Sequence, residues 1–283
     1  MNRRLFLTSL TGAAAGTALA ACSSSPSGRR RLVRPSQNAP RYAFADEFTG
    51  PGGGAPDPAK WSLADDVNLS GGIQTYTGSR QNSFLDGEGH LVISAQPEAK
   101  GGYTSARLTT LGLFSQFGGW FEARIRLDAG QPGCWPAFWL VGQNIDQVGW
   151  PWCGEVDILE DFGKRPPTVT STVHVPSRAA KSPDALLRTN ERFAVLPSDS
   201  DWHTYAVFWN LSGQSFTFYR DGVSYFSAGV NDFDPAFWVY GPGQKNNGGM
   251  SIILNLAVGG YAGKPHPSRW PVQMYVDYVH AWQ

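Results

Sequence analysis

Charged residues are scarce in this 283-residue chain, and the two signs cancel. They make up 16% of the sequence, against about 25% in an average soluble protein. Lys and Arg number 23 and so do Asp and Glu, which gives a net charge of zero. Because duplex binding needs a basic face, this balance argues against a nucleic-acid partner. The low charge also argues against a fold built on ion-pair networks.

Aromatic residues and chain breakers are abundant. Aromatics reach 13% of the sequence, including 11 Trp, beside 33 Gly and 20 Pro. This mixture favours short strands joined by turns, and it excludes long helical bundles and coiled coils.

Apolar residues recur at every second position along much of the chain. In residues 120–127 the odd positions are apolar and most even positions are charged, as in a strand with one buried face. Similar strand-like runs are 91–95, 104–110, 135–141, 155–160, 168–175, 202–209, 215–219, 251–258 and 272–282. We therefore predict an all-β fold, one sandwich of two stacked antiparallel sheets with Greek-key or jelly-roll connections. Segments 176–200 and 229–249 are predicted to be long loops that shape a binding site.

The first 22 residues are typical of an export signal. Arg3 and Arg4 precede an apolar stretch, as in a twin-arginine signal, and the last four residues, Leu-Ala-Ala-Cys, resemble a lipobox. We therefore expect export by the twin-arginine route and a lipid anchor on Cys22, at the outer face of the cell membrane or the cell surface. An uncleaved anchor is the alternative, but the apolar run is shorter than the roughly 20 residues that a span needs.

Residues 23–41 are predicted to form a flexible, basic linker, which either lies on anionic lipid or is merely solvated. A single globular domain is expected over 42–283, and no segment within it is apolar enough to cross a membrane. We expect a monomer.

Two cysteines remain after Cys22, in a compartment where a disulfide could survive. Cys134 and Cys153 each begin a predicted strand. If those strands are antiparallel neighbours, the two residues lie at opposite ends, much farther apart than a disulfide allows. We therefore predict two free thiols.

The chemistry concentrates in the strand-like run that holds Glu155, Asp157 and Glu160. A regular strand would drive Glu160 into the apolar face, and burying an unpaired carboxylate there costs several kcal/mol. A β-bulge near Ile158 and Leu159 would return Glu160 to the face of the other two acids. The two glutamates would then lie about 13 Å apart at Cα, and inward-leaning side chains could approach the ~5–5.5 Å carboxyl separation of retaining glycoside hydrolysis.

This spacing suggests that Glu155 is a nucleophile and that Glu160 is a general acid and base. Asp157 can share a proton with either neighbour, and crowding three carboxylates helps to keep Glu160 protonated. On spacing alone, a solvated acidic strand or a calcium site fits equally well.

Motifs around the acids resemble glycoside hydrolase family 16, in its laminarinase-like branch with the bulged Glu-x-Asp-x-x-Glu signature. They follow one another as segments 44–48, 103–107, 119–124, 135–140, 155–160, 202–205, 254–260 and 276–279. The resemblance implies a concanavalin-like jelly roll with a concave cleft, and retaining endo-hydrolysis of β-linked glucans or galactans without a catalytic cofactor. It also implies the roles given above to the three acids.

Tryptophans are expected to line the cleft. Trp135 and Trp139 share one strand face, while Phe138 and Leu140 face the core, and indole faces suit the flat C–H surfaces of β-linked sugars. Trp150 and Trp152 belong equally well to the cleft or to the core. The resemblance further implies sugar-site roles for His174, Asn82, Arg107 and Asn255, although Arg107 could instead form a structural ion pair.

The resemblance also implies a structural calcium ion on the convex side, held by Glu47 and Asp277 near the two ends of the domain. The chain departs from the family pattern at 234–243 and at 261–263, changes that can remodel one end of the cleft and so bear on the substrate more than on the reaction.

We expect an endo-β-1,3-glucanase, or one cleaving mixed β-1,3/1,4 chains, with a laminarin-like glucan as its partner. The alternatives are a β-galactan hydrolase or transglycosylase on the same scaffold, and a protein that only binds β-glucan. The intact acid set argues against the last.

Overall fold

Strands account for nearly all of the regular structure in the computed structural model, which describes residues 40–64, 71–181, 189–242 and 248–283. Within those residues the strands are β1 (Tyr42–Asp46), β2 (Ser62–Leu63), β3 (Gln74–Tyr76), β4 (Ser83–Leu85), β5 (Leu91–Pro97), β6 (Tyr103–Ser105), β7 (Arg107–Thr109), β8 (Gly119–Leu127), β9 (Cys134–Gly142), β10 (Glu155–Glu160), β11 (Thr168–Pro176), β12 (Thr189–Pro197), β13 (His203–Asn210), β14 (Ser215–Arg220), β15 (Val223–Gly229), β16 (Met250–Val258) and β17 (Val272–Trp282). One short helix, α1 (Ile145–Val148), and three 3-10 turns (Val230–Asp232, Pro235–Phe237 and Gly260–Ala262) accompany them.

The strands form two sheets, as predicted. The larger sheet runs in the order β15-β14-β13-β8-β17-β5-β6-β3, with β1 against β17 and β4 against β5. The smaller sheet runs in the order β12-β11-β10-β9-β16-β7-β2, so the acid strand β10 is an interior strand. Pairing is antiparallel throughout the described strands except between β3 and β6. The all-β sandwich is therefore confirmed.

The core lies between the sheets and takes alternate residues of each strand. On β8, Phe121 and Ile125 are fully buried, whereas the intervening charged side chains are half-exposed on the outer face. Phe138 and Leu140 enter the same core from β9. Each such side chain stabilises the fold by about 1.5–3 kcal/mol relative to exposure, and slipping the strand by one residue would lose that gain.

Two strand predictions were wrong in detail. The run 104–110 is two strands, because the chain crosses from the larger sheet to the smaller one at the buried Ala106. The predicted loop 176–200 contains β12, an edge strand whose residues are mostly exposed. Because neither face of β12 is buried, its sequence lacks the alternation that marks a strand. The segment after Gly229 contains two 3-10 turns but no strand before β16 in its described residues.

The two cysteines lie at opposite ends of the β9–β10 pair, and both are free, as predicted. Both are also buried. Burial raises the pKa of each thiol to about 12, so neither is a nucleophile near neutral pH.

Pro40–Gln283 form a compact unit. The predicted export signal, Cys22 and residues 23–39 of the predicted linker lie outside the described residues. None of the described helices combines the length and the apolar character that crossing a membrane requires.

Candidate active site

A β-bulge in β10 brings the three acids onto one face of the smaller sheet. The register against β9 shifts between Asp157 and Leu159. Because of that shift, the acids oppose alternate residues of β9, which share one face: Glu155 opposes Val141, Asp157 opposes Trp139 and Glu160 opposes Ala137. The bulge predicted from the cost of burying Glu160 is therefore present.

The residues at the bulge bury their side chains in the core, and a side chain from the next strand bonds the backbone there. Ile158 and Leu159 are both fully buried, so the extra residue of the bulge adds apolar side-chain contacts to the core and exposes no apolar surface to solvent. The carbonyl oxygen of Ile158 accepts a hydrogen bond from the hydroxyl of Ser171 on β11, at 2.6 Å. Since a buried orphan carbonyl costs about 1–3 kcal/mol, this hydroxyl stabilises the bulge.

Glu155 lies where its negative charge is supported from several sides. Its carboxylate accepts a hydrogen bond from the indole of Trp150 at 2.7 Å, and Nε2 of His174 lies 3.8 Å from its other oxygen. Burial, together with the neighbouring charge of Asp157, raises the pKa of Glu155 to about 7. Three neighbours lower the pKa of Glu155 and partly offset that rise: His174, Trp150 and Arg107. A substantial fraction of Glu155 is therefore ionised near neutral pH.

Glu160 has fewer groups that favour its anion. It is 8% exposed, and its carboxyl group accepts one hydrogen bond, from the indole of Trp135 at 2.9 Å. Burial raises the pKa of Glu160 well above its usual value, and the charges of Asp157 and Glu155 raise it further. These effects favour the protonated form of Glu160, while Glu155 has more groups that favour its anion.

Asp157 lies between the two glutamates and is 3% exposed. Its Oδ2 shares a hydrogen bond with Nε2 of His174, at 2.8 Å. Burial raises the pKa of Asp157 well above the ordinary value, and the charge of Glu191 adds to that shift. Glu191 lies at the outer side of the His174 ring, 3.7 Å from Nδ1. A carboxyl–imidazole–carboxyl chain thus leads from the exposed Glu191 to the buried Asp157.

Glu155, Asp157 and His174 also offer one ligand atom each within 4.8 Å of one another. A nitrogen donor and two carboxylates are a poor match for calcium, which prefers six to eight oxygen ligands. The group fits proton sharing better than the calcium site weighed from the sequence.

The tryptophans predicted to line the cleft fall into two groups. Trp135, Trp139 and Trp150 lie beside the acids: Trp135 and Trp150 donate to Glu160 and Glu155, and Trp139 opposes Asp157 in the ladder. Trp152 instead packs against the main core and against Phe237, with ring centroids 6.0 Å apart. The structure therefore assigns Trp150 to the site and Trp152 to the core.

Arg107 and Asn255 support Trp139. The indole N–H of Trp139 donates to Asn255 at 2.6 Å, and the guanidinium of Arg107 lies 5.4 Å from the centre of its ring. The amide of Asn255 donates in turn to the hydroxyl of Tyr76, at 3.1 Å. These contacts fix the plane of the Trp139 ring.

Asn82 makes hydrogen bonds with its own loop and with the larger sheet. It is 1% exposed, and its amide donates to the carbonyl of Ser94 on β5 at 2.9 Å. Its Oδ1 accepts from the hydroxyl of Thr77 at 2.6 Å. The amide therefore fastens the loop before β4 to the larger sheet.

Glu47 and Asp277 each face a separate basic partner. Glu47 lies 2.6 Å from Nε2 of His280, and Asp277 forms an ion pair with Arg124 at 2.5 Å. Both carboxylates therefore already have a basic partner among the described residues.

Tyr240 is a site residue that the sequence did not reveal. Its hydroxyl contacts the backbone of Glu155 and of His174 from a segment without regular strand structure. A single tyrosine in an aperiodic stretch gives no pattern, and the one available signal was the departure from the family motif at 234–243.

Similarity to known proteins agrees with this geometry. Residues 72–279 match the model of "Glycosyl hydrolases family 16". The chain is 35% identical over 264 residues to a β-glucanase of Rhodothermus marinus, which covers 88% of this chain and 87% of that protein. It is also 35% identical over 258 residues to a glucan endo-1,3-β-glucosidase of Cryptopygus antarcticus, covering 84% of this chain and 90% of that protein.

Among solved structures, the laminarinase catalytic domain of Thermotoga maritima superposes with a TM-score of 0.70 at 30% identity, covering 86% of this chain and 98% of that one. The family model spans the acid strand, most strands of both sheets and the tryptophans that contact the acids. A match of that extent places the chain in glycosyl hydrolase family 16.

Proposed function

We propose that this endo-β-glucanase cleaves internal β-1,3 linkages, in plain or mixed β-1,3/1,4 glucans, and retains the anomeric configuration. One observation carries the proposal: the bulge in β10 puts two glutamates of unequal acidity on one face of the sheet. Retaining hydrolysis needs one anionic and one protonated carboxyl flanking the scissile bond. The names of the relatives from Rhodothermus marinus and Cryptopygus antarcticus support a β-glucan as the substrate.

In the first half of the reaction, a carboxylate oxygen of Glu155 attacks the anomeric carbon. The glycosidic C–O bond breaks, and Glu160 gives its proton to the leaving oxygen. The products are a covalent glycosyl-Glu155 ester and the released part of the chain. Loss of the negative charge on Glu155 removes one of the groups that kept Glu160 protonated, so Glu160 becomes the stronger acid while it acts.

In the second half, Glu160 is a carboxylate and accepts a proton from water. The water oxygen bonds to the anomeric carbon, and the ester to Glu155 breaks. Two inversions give net retention. Asp157 shares a proton with His174 in the space between the glutamates. This sharing avoids a third negative charge beside the two glutamates during either half of the reaction.

Trp135 and Trp139 give the cleft its affinity for sugar in this proposal. Both side chains are half-buried on the same face as the acids, so part of each indole is open to solvent. Stacking on apolar C–H faces suits glucose units whose hydroxyls are equatorial. Family 16 enzymes need no catalytic cofactor, and none enters these steps.

A protein that only binds β-glucan, and a galactanase or transglycosylase, are the alternative functions. The first has no use for two glutamates with different proton affinities. The others share the glycosyl-enzyme intermediate and differ in the sugar or in the acceptor that takes it.

The test is release of reducing ends from laminarin by the full chain. The wild-type protein should be active, Glu155→Gln should lose at least 1000-fold in kcat, and Glu122→Gln should match the wild type. Glu122 is a matched control because it is a strand glutamate of the larger sheet, bonded to Tyr278. NMR of the first product formed should show the β-anomer. Activity on a galactan but not on laminarin would overturn the proposed substrate, and an active Glu155→Gln would overturn the nucleophile.

We also propose that the protein is exported by its first 22 residues and held at the cell surface by lipid on Cys22, because the paired arginines and the lipobox stand at the expected spacing. Incorporation of labelled palmitate that is lost in Cys22→Ala would support the anchor. The monomeric state stays a prediction. A calcium ion at Glu47 and Asp277 also stays a prediction, and it would have to displace His280 and Arg124.

A further inference from the structure

The hydroxyl of Tyr240 lies between β10 and β11 where Glu155 opposes His174. The backbone N–H of Glu155 donates to this hydroxyl at 2.7 Å. The single hydroxyl proton is directed at two carbonyl oxygens, that of Glu155 at 2.8 Å and that of His174. One side chain from a third segment therefore bonds the backbone of both residues.

The ring of Tyr240 is held firmly enough to fix that hydroxyl in space. It is fully buried, and the rings of Phe216 and Trp238 lie 5.0 and 5.1 Å away, centroid to centroid. The indole of Trp209 donates to the Tyr240 carbonyl at 3.2 Å. Burial raises the pKa of the hydroxyl well above the ordinary tyrosine value, so it keeps its proton and remains a donor.

The residue before Glu155 makes room for this contact. Gly154 has a φ of +83°, and a Cβ there would lie 2.5 Å from Cε1 of Tyr240. Any other residue at 154 would push either the tyrosine ring or the start of β10 out of place.

We infer that Tyr240 is a positioning residue for the reaction: its hydroxyl fixes the backbone of the nucleophile Glu155 relative to that of His174. This inference rests on the proposed function. Tyr240 acts through the two residues and does not touch the sugar. A displacement of the nucleophile by about 1 Å costs on the order of 100-fold in rate, so loss of this hydroxyl should lower kcat more than it changes KM.

Trp238 and Tyr240 belong to the stretch in which the chain departs from the family motif. The segment brings Trp238 and Tyr240 into the core below the acid strand. It thus supports the catalytic strand from beneath, in addition to any effect on the end of the cleft.

The test compares Tyr240→Phe with Trp238→Phe in the full chain. Tyr240→Phe keeps the ring and removes the hydroxyl. Trp238→Phe loosens the same packing and keeps the hydroxyl, and it sacrifices no hydrogen bond because Nε1 of Trp238 has none among the described residues. Melting temperature, kcat and KM on laminarin, and hydrogen exchange of the β10 and β11 peptides are measured for each.

We expect Tyr240→Phe to lose tenfold or more in kcat with KM within twofold, and to exchange faster at the start of β10 and the end of β11. Trp238→Phe should melt earlier but keep kcat within twofold. Unchanged kcat in Tyr240→Phe, a kcat that falls with melting temperature in both variants, or a Tyr240→Phe chain that does not fold would each overturn the positioning role. An inactive wild type would refute the proposed function alone, because the hydrogen-exchange comparison still decides whether the hydroxyl holds the two strands.

Discussion

The indole N–H of Trp150 donates to Oε2 of Glu155 across 2.7 Å. Trp150 and Glu155 are five residues apart, on either side of the turn that leads into β10. This hydrogen bond favours the charged form of the proposed nucleophile and opposes the effect of burial on its pKa. The electrostatics of the site thus depend on a residue that precedes the acid motif.

Replacing Trp150 by Phe should make Glu155 a weaker acid. The hydrogen bond lowers the pKa of Glu155, so its loss raises that pKa above about 7, and the nucleophile stays protonated to a higher pH. A hydrogen bond to a charged group contributes about 1.5–3 kcal/mol, so kcat/KM at pH 6 should fall at least tenfold. The measurement is the pH profile of kcat/KM, whose acidic limb should move to higher pH. Trp152→Phe, a change in the core, should leave the limb in place.

Replacing Glu160 by Gln should remove the proton donor and keep the nucleophile. The kcat of this variant on natural glucan should fall by about 10²–10⁴-fold, because the leaving oxygen is no longer protonated. An aryl β-glycoside with an acidic phenol needs no protonation, so its glycosylation step should continue. Added azide should restore turnover of that substrate and yield a β-glycosyl azide, since azide attacks the ester without a general base. Equal losses on both substrates, with no azide effect, would exclude Glu160 as acid and base.

Most of the acid strand could be predicted from sequence because its energetics are local. A regular register would bury the charge of Glu160, and a bulge near Ile158 avoids that cost. The alternation that separates Trp135 and Trp139 from Phe138 likewise follows from strand parity.

The elements that sequence reasoning missed depend on distant parts of the chain. β12 pairs with β11 along its whole length but buries neither face, so backbone pairing forms it without an apolar period. Tyr240 reaches Glu155 across 85 positions of sequence. The buried amide of Asn82 likewise bonds Thr77 and Ser94, which its local sequence does not specify. No local pattern encodes such tertiary partners.

Replacing Asn255 by Ala should weaken substrate binding more than chemistry. Asn255 accepts the indole N–H of Trp139 and bonds none of the three acids among the described contacts, so its loss frees the ring that stacks on sugar. We expect KM for laminarin to rise about fivefold to tenfold, with kcat within threefold. Steady-state kinetics measure both. Asn82→Ala serves as the matched control, because its amide fastens a loop and should affect the melting temperature without changing KM. A fall in kcat with constant KM would instead place Asn255 among the groups that act on the reacting atoms.

The stability of the protein should fall as pH rises through the range in which the acids ionise. The folded protein raises the pKa of Glu155 from an ordinary value near 4.5 to about 7, so between those values the folded state binds more protons than the unfolded state. Unfolding then becomes easier by up to about 1.4 kcal/mol per pH unit for this group, and the cost is fully present above pH 7. The shifts of Asp157 and Glu160 have the same sign.

Glu155→Gln should therefore flatten the pH dependence of the free energy of unfolding, and it should be more stable than the wild type at pH 7 while inactive. Urea denaturation at pH 5, 6, 7 and 8 measures the slope. Glu122→Gln, in the other sheet, should retain the wild-type slope. A Glu155→Gln protein that is less stable than the wild type at pH 7 would contradict the prediction that the ionised Glu155 carboxylate destabilises the folded protein. The expected gain in stability arises because glutamine carries no charge and so avoids the cost of ionising a buried carboxyl at position 155. The same burial favours the protonated form of Glu160, which its role as acid requires.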